Sequence, residues 1–545
     1  MRTQVLRWAA AIAAVSVLVV GSSGWAAAIV PPDVPPGPAP ADPEPAPDQP
    51  MKQVAACVQT AVLPGSNFAE LPPALQMLDM PAAWKESTGA GVVVGIIDTG
   101  VAPQPRLPHL VAGGDYVMGR YGDGLADCDA HGTVIASLIG AAPSGPPLPV
   151  QPRWAVPAPL PEAAPPPAPI RPPPPPPTVT VTATATVAPP PPPPPPPPDG
   201  PPPDAPAWGP AVGPVVPLPG TPPAGGGPDG LIGIAPDATL VSIRQSAQTF
   251  GYADPQLVDN PQDVRRAGDI NSLARAIVHL ANLGVKVINI SVVSCVAVGK
   301  PTDQAVLGAA LRYAAVDRDV VIVAAAGNAG TQGCAQNPDP VPADRSDPLA
   351  WNTVQTIATP AWFSDYVLSV SATDSAGAPL TGQAASLHGP WVGLAAPGTD
   401  IVGLSTSGQV INGSIENDAL KPIAGSSFAA AFVSGIAALV RAKYPELSAH
   451  QIIRRLQATA HPPAGGRDSV VGYGVVDPVA ALTWDVPPGD WLAPGVRMPL
   501  HIPPEPPAPD PRPRWGTAAV VGAASVVVGI VLWVVTVMRR RGRVQ

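Results

Sequence analysis

Residues 141–228 hold 39 prolines in 88 positions, and this block limits what the chain can build more than any other feature. One run, Pro189–Pro198, is ten consecutive prolines. Proline fixes φ and offers no N–H, so neither helix nor sheet forms from such a stretch. What remains is polyproline II, rising about 3.1 Å per residue, so the run alone is a stiff rod of about 31 Å. Globular sequence breaks off after Ile139 and resumes near Gly230. The block therefore reads as an insertion into a domain, either a passive spacer or a surface for a partner or the cell wall. Residues 29–50 and 487–516 share the Pro-rich composition. The first is expected to be disordered or polyproline II, the second a linker. Outside these clusters about 350 residues of ordinary composition remain, ample for a sizeable core. Net charge is −9, with no basic cluster outside the extreme C-terminus, so no nucleic-acid partner is expected.

Two apolar segments set the compartment. Residues 1–28 start with Arg2 and Arg7, continue apolar and close on Ala26 to Ala28, the pattern of a signal peptide cut near Ala28. Residues 517–538 contain no charge, and at about 1.5 Å per residue they span about 33 Å, enough for a bilayer core. Arg539, Arg540, Arg541 and Arg543 follow at once. The positive-inside rule makes the tail, 539–545, cytoplasmic and everything before the helix extracytoplasmic. The expectation is a single-pass plasma-membrane protein.

Four cysteines occur, Cys57, Cys128, Cys295 and Cys334. An even count in an exported chain favours two disulfides, and no CxxC or Cys/His spacing suggests a metal. Of three connectivities, Cys57–Cys128 and Cys295–Cys334 are the expected pairs. The first would pin an N-terminal arm, residues 51–89, to the core, and the second would staple one loop.

Between residues 230 and 483 short β-branched runs alternate with helical patterns. LVSIR (240–244), VKVINIS (285–291), VVIVAAAG (320–327) and YVLSVSAT (366–373) have strand length. NSLARAIVHLANLG (271–284) and DQAVLGAALRYAAVDR (303–318) repeat apolar residues at helical spacing. Continuous apolar strands alternating with helices predict an α/β fold, a doubly wound, mainly parallel sheet with helices on both faces.

Four motifs carry the chemistry. Asp98 ends the buried run of GVVVGIIDTGV, where ligands gather in open α/β sheets; taken alone it is more often a strand-end Asp capping a turn. His131, in DAHGTVIASLIG, stands at the start of an apolar helix beside Gly132. Ser427, in IAGSSFAAAFVSGIAALVRAKYP, opens another apolar helix of about 17 residues. A serine there is ordinarily an N-cap, with Ser426 the competing candidate. A nucleophile at a helix N-terminus also gains an oxyanion donor from its own N–H. Asn328, in VIVAAAGNAG, ends another strand, where its amide is either a turn residue or a hydrogen-bond donor to an oxyanion. Together the set is what acyl transfer needs: Asp98 orients His131, His131 takes the Ser427 proton, and Asn328 with the Ser427 N–H holds the oxyanion. The chain order Asp, His, Ser and the missing GxSxG elbow disfavour α/β-hydrolases.

With these motifs the chain resembles a subtilisin-family (peptidase S8) serine protease over residues 90–482. Further stretches that carry the resemblance are GLIGIAPDATLVSIR (230–244), VINIS (287–291), HGPWVGLAAPGTDIVGLS (388–405) and GYGVVDPVAAL (472–482). The Pro-rich insertion falls where a subtilisin has a surface loop. Without it the His131-to-Asn328 separation drops from 197 to 109 residues, close to the compact family spacing. More narrowly, the layout of signal peptide, Cys-containing arm, protease domain (90–486), Pro-rich linker, one membrane helix and basic tail resembles the mycosins, subtilisin-like proteases associated with type VII secretion. That resemblance implies a membrane-anchored endopeptidase acting on a limited set of exported proteins beside subunits of the secretion complex. The alternative is a largely structural subunit that stabilises the complex. No cofactor and no metal are expected. Too little chain precedes the domain for a full cleavable pro-domain, so the arm is expected to stay attached. SVVSCVAVG after VINIS has fewer glycines than a subtilisin substrate wall, which points to a narrower pocket.

Overall fold

The apolar run that ends in Asp98 forms β1 (Val93–Asp98), which becomes an interior strand of a seven-stranded sheet. The other strands are β2 (Leu110–Asp115), β3 (Thr239–Arg244), β4 (Val287–Ile290), β5 (Val321–Ala325), β6 (Val367–Thr373) and β7 (Val392–Pro397). They lie in the order β7-β6-β5-β4-β1-β3-β2, and every neighbouring pair is parallel. The sheet is doubly wound, as the alternation of strands and helices predicts. After β3 the chain recrosses β1 to place β4 on its other side, so the winding reverses at β1. The carboxyl ends of strands at such a switch point are where α/β sheets hold their ligands.

This computed structural model describes residues 29–144, 228–254, 268–299, 302–331, 333–338, 347, 349–416, 418–496 and 512–541. The expected signal peptide, nearly all of the 141–228 insertion, part of the 487–516 linker and the last tail residues lie outside the described residues. The chain divides into two units, Met1–Arg497 and Met498–Gln545.

Side chains alternate across the sheet and build two cores. Val94 and Ile96 of β1, with Val321 and Val323 of β5, face one side. There they meet α1 (His131–Gly140) and α4 (Ser426–Lys443). Ile97 of β1, Ile288 and Ile290 of β4 and Ile322 of β5 face the other side. There they meet α2 (Ile270–Asn282) and α3 (Ala305–Arg312). A period of two along each strand, with apolar residues pointing to both sides, is what a sheet covered on both faces requires. Helix α2 starts with a capping box between Asp269 and Ser272. Helix α3 stops at Arg312 and passes into a π turn, Tyr313–Asp317, so only the first part of the helical pattern at 303–318 is α-helix. Helix α4 is apolar and long enough to cross a membrane, yet 89% of it is buried, which makes it the central core helix.

The segment before the sheet wraps this body. Met51–Gln53 pairs antiparallel with Phe250–Tyr252, and Gln59–Ala61 pairs with Gly413–Glu416. Residues 29–50, expected to be disordered or polyproline II, have no regular secondary structure but lie against the body. Asp48 pairs with Arg275 at 2.5 Å, Asp42 with His279 at 2.9 Å, and Val34 is buried in the α2/α3 core. These contacts have a simple cause. A Pro/Ala-rich segment cannot build its own core, but its few apolar and acidic residues find partners on a core that already exists.

Among its described residues the second unit holds one helix, α5 (Arg512–Arg541). Its Gly516–Arg541 portion is apolar and long enough to cross a membrane, and none of it is buried within the protein.

Cys57 and Cys128 form a disulfide across 71 residues, and Cys295 and Cys334 form one across 39. Replacing Cys57 and Cys128 together by Ser should lower unfolding free energy by about 2–4 kcal/mol, because the cross-link restricts the unfolded chain. Urea unfolding followed by circular dichroism measures this. An unchanged midpoint would mean that this cross-link adds nothing to the stability of the domain.

Candidate active site

Asp98 is the last residue of β1 and has no exposed surface. Its Oδ1 lies 2.7 Å from His131 Nδ1 and accepts the Thr99 N–H at 2.7 Å. A carboxylate only accepts, so the imidazole proton sits on Nδ1 and the lone pair of the neutral ring on Nε2. His131 opens α1, packs its ring 5.3 Å from that of Phe428, and keeps 30% of its side chain exposed. One face of the ring is thus supported and one edge is open. Burial pushes the imidazole pKa down, but the charge and hydrogen bond of Asp98, with smaller contributions from Asp127 and Asp129, outweigh it and leave the pKa above its ordinary value. Ala130, just before the ring, has φ 59°, a left-handed conformation that costs a non-glycine residue about 1–2 kcal/mol.

Ser427 is the second residue of α4, in the first turn where helical N–H groups have no intrahelical acceptor. Its hydroxyl donates to the Ser291 carbonyl at 3.0 Å, and the Ser291 hydroxyl donates back to the Ser427 carbonyl at 3.1 Å. Asn289 Nδ2 donates to Ser291 Oγ at 2.8 Å, and Ser434 Oγ donates to Asn289 Oδ1 at 2.9 Å. This chain of hydrogen bonds ties the first turns of α4 to the end of β4. No Ser427–His131 hydrogen bond is present among the described residues.

Ser426 and Ser427 have separate tasks. Ser426 donates both its N–H (2.9 Å) and its hydroxyl (3.1 Å) to Asn328 Oδ1. With Oδ1 so engaged, the Asn328 amide nitrogen is left as a donor. It lies beside Gly425, whose φ is 146°; a Cβ there would come within 3.2 Å of Asn328 Nδ2. Gly425 thus supplies both the backbone conformation and the space for the amide.

The structure brings Asp98 and His131 into direct contact and puts Ser427 and Asn328 at the two sides of Gly425–Ser426. Cys128 lies three residues before His131. Cys295 sits on a strand, Ser294–Ala297, that follows Ser291, and its sulfur would be 3.9 Å from a Cβ at Gly327. Between the carboxyl ends of β3 and β4 and the start of α2 lies a cavity of about 70 Å³, lined among others by Gln245, Ser246, Asp269, Leu273, Val292 and Val293. Among the described residues no group of His, Cys, Asp and Glu is arranged to hold a metal. Two residues that sequence reasoning passed over belong to the site. Ser291 was visible as the last residue of VINIS, and Asp127 as an acid four residues before His131.

The chain matches the Subtilase family (Peptidase_S8) model over residues 220–474. It is 50% identical to Mycosin-5 of Mycobacterium tuberculosis, across 95% of this chain and 94% of that protein. Its fold matches that of MycP1 from Mycobacterium smegmatis with a TM-score of 0.65 and 38% identity, over 87% of this chain and all of that one. It also matches a chain in the periplasmic assembly from the ESX-5 inner membrane complex, with a TM-score of 0.66 and 46% identity over 88% of this chain.

The electrostatics of the ring are directly measurable. NMR titration of the His131 imidazole should give a midpoint above the ordinary value of about 6.5. Asp98→Asn removes the charge that favours the imidazolium, so it should lower that midpoint. A midpoint that stays put would assign the shift to other groups.

Proposed function

The chain belongs to the mycosins, a family of subtilisin-like serine proteases, and from that premise we propose that it is a membrane-anchored endopeptidase with Asp98, His131 and Ser427 as its triad. The observation that carries this reading is the 2.7 Å contact between Asp98 and His131 Nδ1 at the switch point of the sheet, with Ser427 at the N-terminus of the helix packed against it. In this reading Ser427 Oγ leaves the Ser291 carbonyl and turns to His131 Nε2. It attacks the substrate carbonyl carbon as the imidazole takes its proton, and Asp98 stabilises the imidazolium that forms. The oxyanion is held by Asn328 Nδ2 and the Ser427 N–H, each aimed before the charge develops. The imidazolium then protonates the leaving amine, and water, deprotonated by the same ring, hydrolyses the acyl-enzyme.

The substrate is an extended segment of an exported protein, lying along the ends of β3 and β4. The valines at 292 and 293 and the braced Cys295 restrict what the cleft accepts, which fits a limited substrate set. Helix α5 supplies the membrane anchor. Arg539, Arg540 and Arg541 at its end favour a cytoplasmic tail, with the protease domain on the periplasmic side, where two disulfides are stable. The likeness to a chain of the ESX-5 inner membrane complex supports assembly with subunits of a type VII secretion system.

The test is labelling of the full-length protein with a fluorophosphonate probe. The Ser427 oxygen attacks phosphorus, fluoride leaves and the hydroxyl proton passes to His131. Ser427→Ala should abolish labelling and Ser426→Ala should slow it without abolishing it. Asn328→Ala should slow it by about 10²–10³-fold through loss of one oxyanion donor. A folded wild-type protein that takes no label would contradict this reading and favour a structural role in the secretion complex.

A further inference from the structure

Asp127 is almost wholly buried, and both of its oxygens are used. Oδ1 accepts the Thr99 hydroxyl at 2.9 Å and the Asp129 N–H at 3.1 Å. Oδ2 accepts the Thr133 N–H at 2.9 Å and the Thr133 hydroxyl at 2.6 Å. The two threonines pass the connection on. Thr99 Oγ1 accepts the Gly132 N–H at 2.9 Å, and Thr133 Oγ1 accepts the Ala102 N–H at 3.0 Å. Thr99 follows Asp98, and Gly132 and Thr133 follow His131. One carboxylate thus closes a ring of hydrogen bonds around the turn that carries Asp98 and the helix start that carries His131.

The backbones inside that ring are in contact. A Cβ on Gly132 would fall 2.0 Å from the Gly100 carbonyl oxygen and 3.2 Å from Asp98 Cβ. The two segments therefore have no slack along the line between them, and the ring governs the remaining freedom, rotation and sliding. Keeping a carboxylate here has a cost. Burial pushes the Asp127 carboxyl up to about 7, with Asp129 adding to the rise, against the opposing hydrogen bonds from Thr133 and Thr99. A group held against its own solvation, beside a pair that must meet in one geometry, is better explained by function than by stability.

We propose that Asp127 is a positioning residue for the reaction, holding the Asp98 turn and the first turn of the His131 helix in the register at which His131 Nε2 faces Ser427. It touches neither substrate nor the reacting atoms and acts through Thr99 and Thr133. The inference rests on the triad reading above. Asparagine at 127 has the same shape but only one acceptor oxygen, and its NH2 would face donors on the other side. The helix and turn stay attached but lose their shared register.

The experiment separates binding of the probe from its chemistry. Full-length Asp127→Asn protein is treated with the fluorophosphonate over a range of concentrations, and the labelling rate is resolved into a half-saturation concentration and a limiting rate. We expect an unchanged half-saturation concentration and a limiting rate lower by about 10²-fold, the scale of an ångström-level misplacement. Thr99→Val, which removes the bridging hydroxyl, should lower the limiting rate too, and Thr99→Ser, which keeps the hydroxyl, should restore it. The Asp127→Asn, Thr99→Val double variant should fall little below the slower single one, because the two changes break one connection. If Asp127→Asn does not fold, the Val and Ser pair at Thr99 carries the test. A folded Asp127→Asn protein with a wild-type limiting rate, or a Thr99→Val protein no slower than Thr99→Ser, would overturn the proposal. Failure of the triad reading looks different: Ser427→Ala then labels like wild type, and the inference falls with it.

Discussion

Asp98 has no surface open to solvent, and a buried carboxyl group depends on the donors that reach it. Two donors reach its Oδ1, the Thr99 N–H from the next residue and His131 Nδ1 from across a turn, and among the described residues none reaches Oδ2. The second donor carries the larger consequence. It fixes the tautomer of the imidazole, directs Nε2 outward and raises the ring's affinity for a proton. Removing the acid would take from the ring its one hydrogen bond among the described residues. Much else in the structure serves to place these two side chains against each other.

The sheet does this by its winding. Because every neighbouring strand is parallel, all the strands deliver their carboxyl ends to one edge, and the reversal at β1 opens a gap there. Asp98 comes from β1, Ser291 follows β4, and Asn328 follows β5. Helix α4 then has two duties. Its length fills the core on one face of the sheet, and its N-terminus lies against Asn328, to which the Ser426 N–H donates. Packing fixes the axis of that helix, and the Ser291–Asn289–Ser434 hydrogen bonds fix its first turns, so a position set by hydrophobic burial is refined by polar contacts.

The N-terminal arm enters the same region by a covalent route. Cys57 is bonded to Cys128, which lies between Asp127 and Asp129, just upstream of His131. Asp129 accepts the N–H groups of Gln248 and Thr249, the loop that leads to the strand pairing with Met51–Gln53. The arm, the loop after β3 and the segment before His131 therefore form one connected patch. The Pro-rich stretch ahead of the arm continues along the α2/α3 face through Asp42, Asp48 and Val34. These are modest surface contacts, worth little singly in water, but they order a segment that has no core of its own.

What the sequence determined by itself was whatever depends on neighbours along the chain. The β-branched runs alternating with helical periods already required a parallel sheet covered on both faces, because only that arrangement buries apolar residues on both sides of a strand. The acid at the end of GVVVGIID, the imidazole in AHGT, the serine in GSS and the amide in AAAGNAG were legible because each stands where a strand ends or a helix begins. What only the tertiary structure decided was how groups far apart in the chain meet. The sequence favours Ser427 over its neighbour Ser426, but only the fold shows what Ser426 does: Asn328, 98 residues away, accepts two hydrogen bonds from it. By sequence Asp127 is one acid in a loop, and only the fold sets Thr99, 28 residues away, on its oxygen. Residues 29–50 carry a composition that predicts no core, and whether they dock depends on a surface made by residues more than two hundred positions later. Local pattern sets the conformation of each piece, but a hydrogen bond between distant residues depends on the path of the whole chain, and that path is fixed only when the two cores close on the sheet.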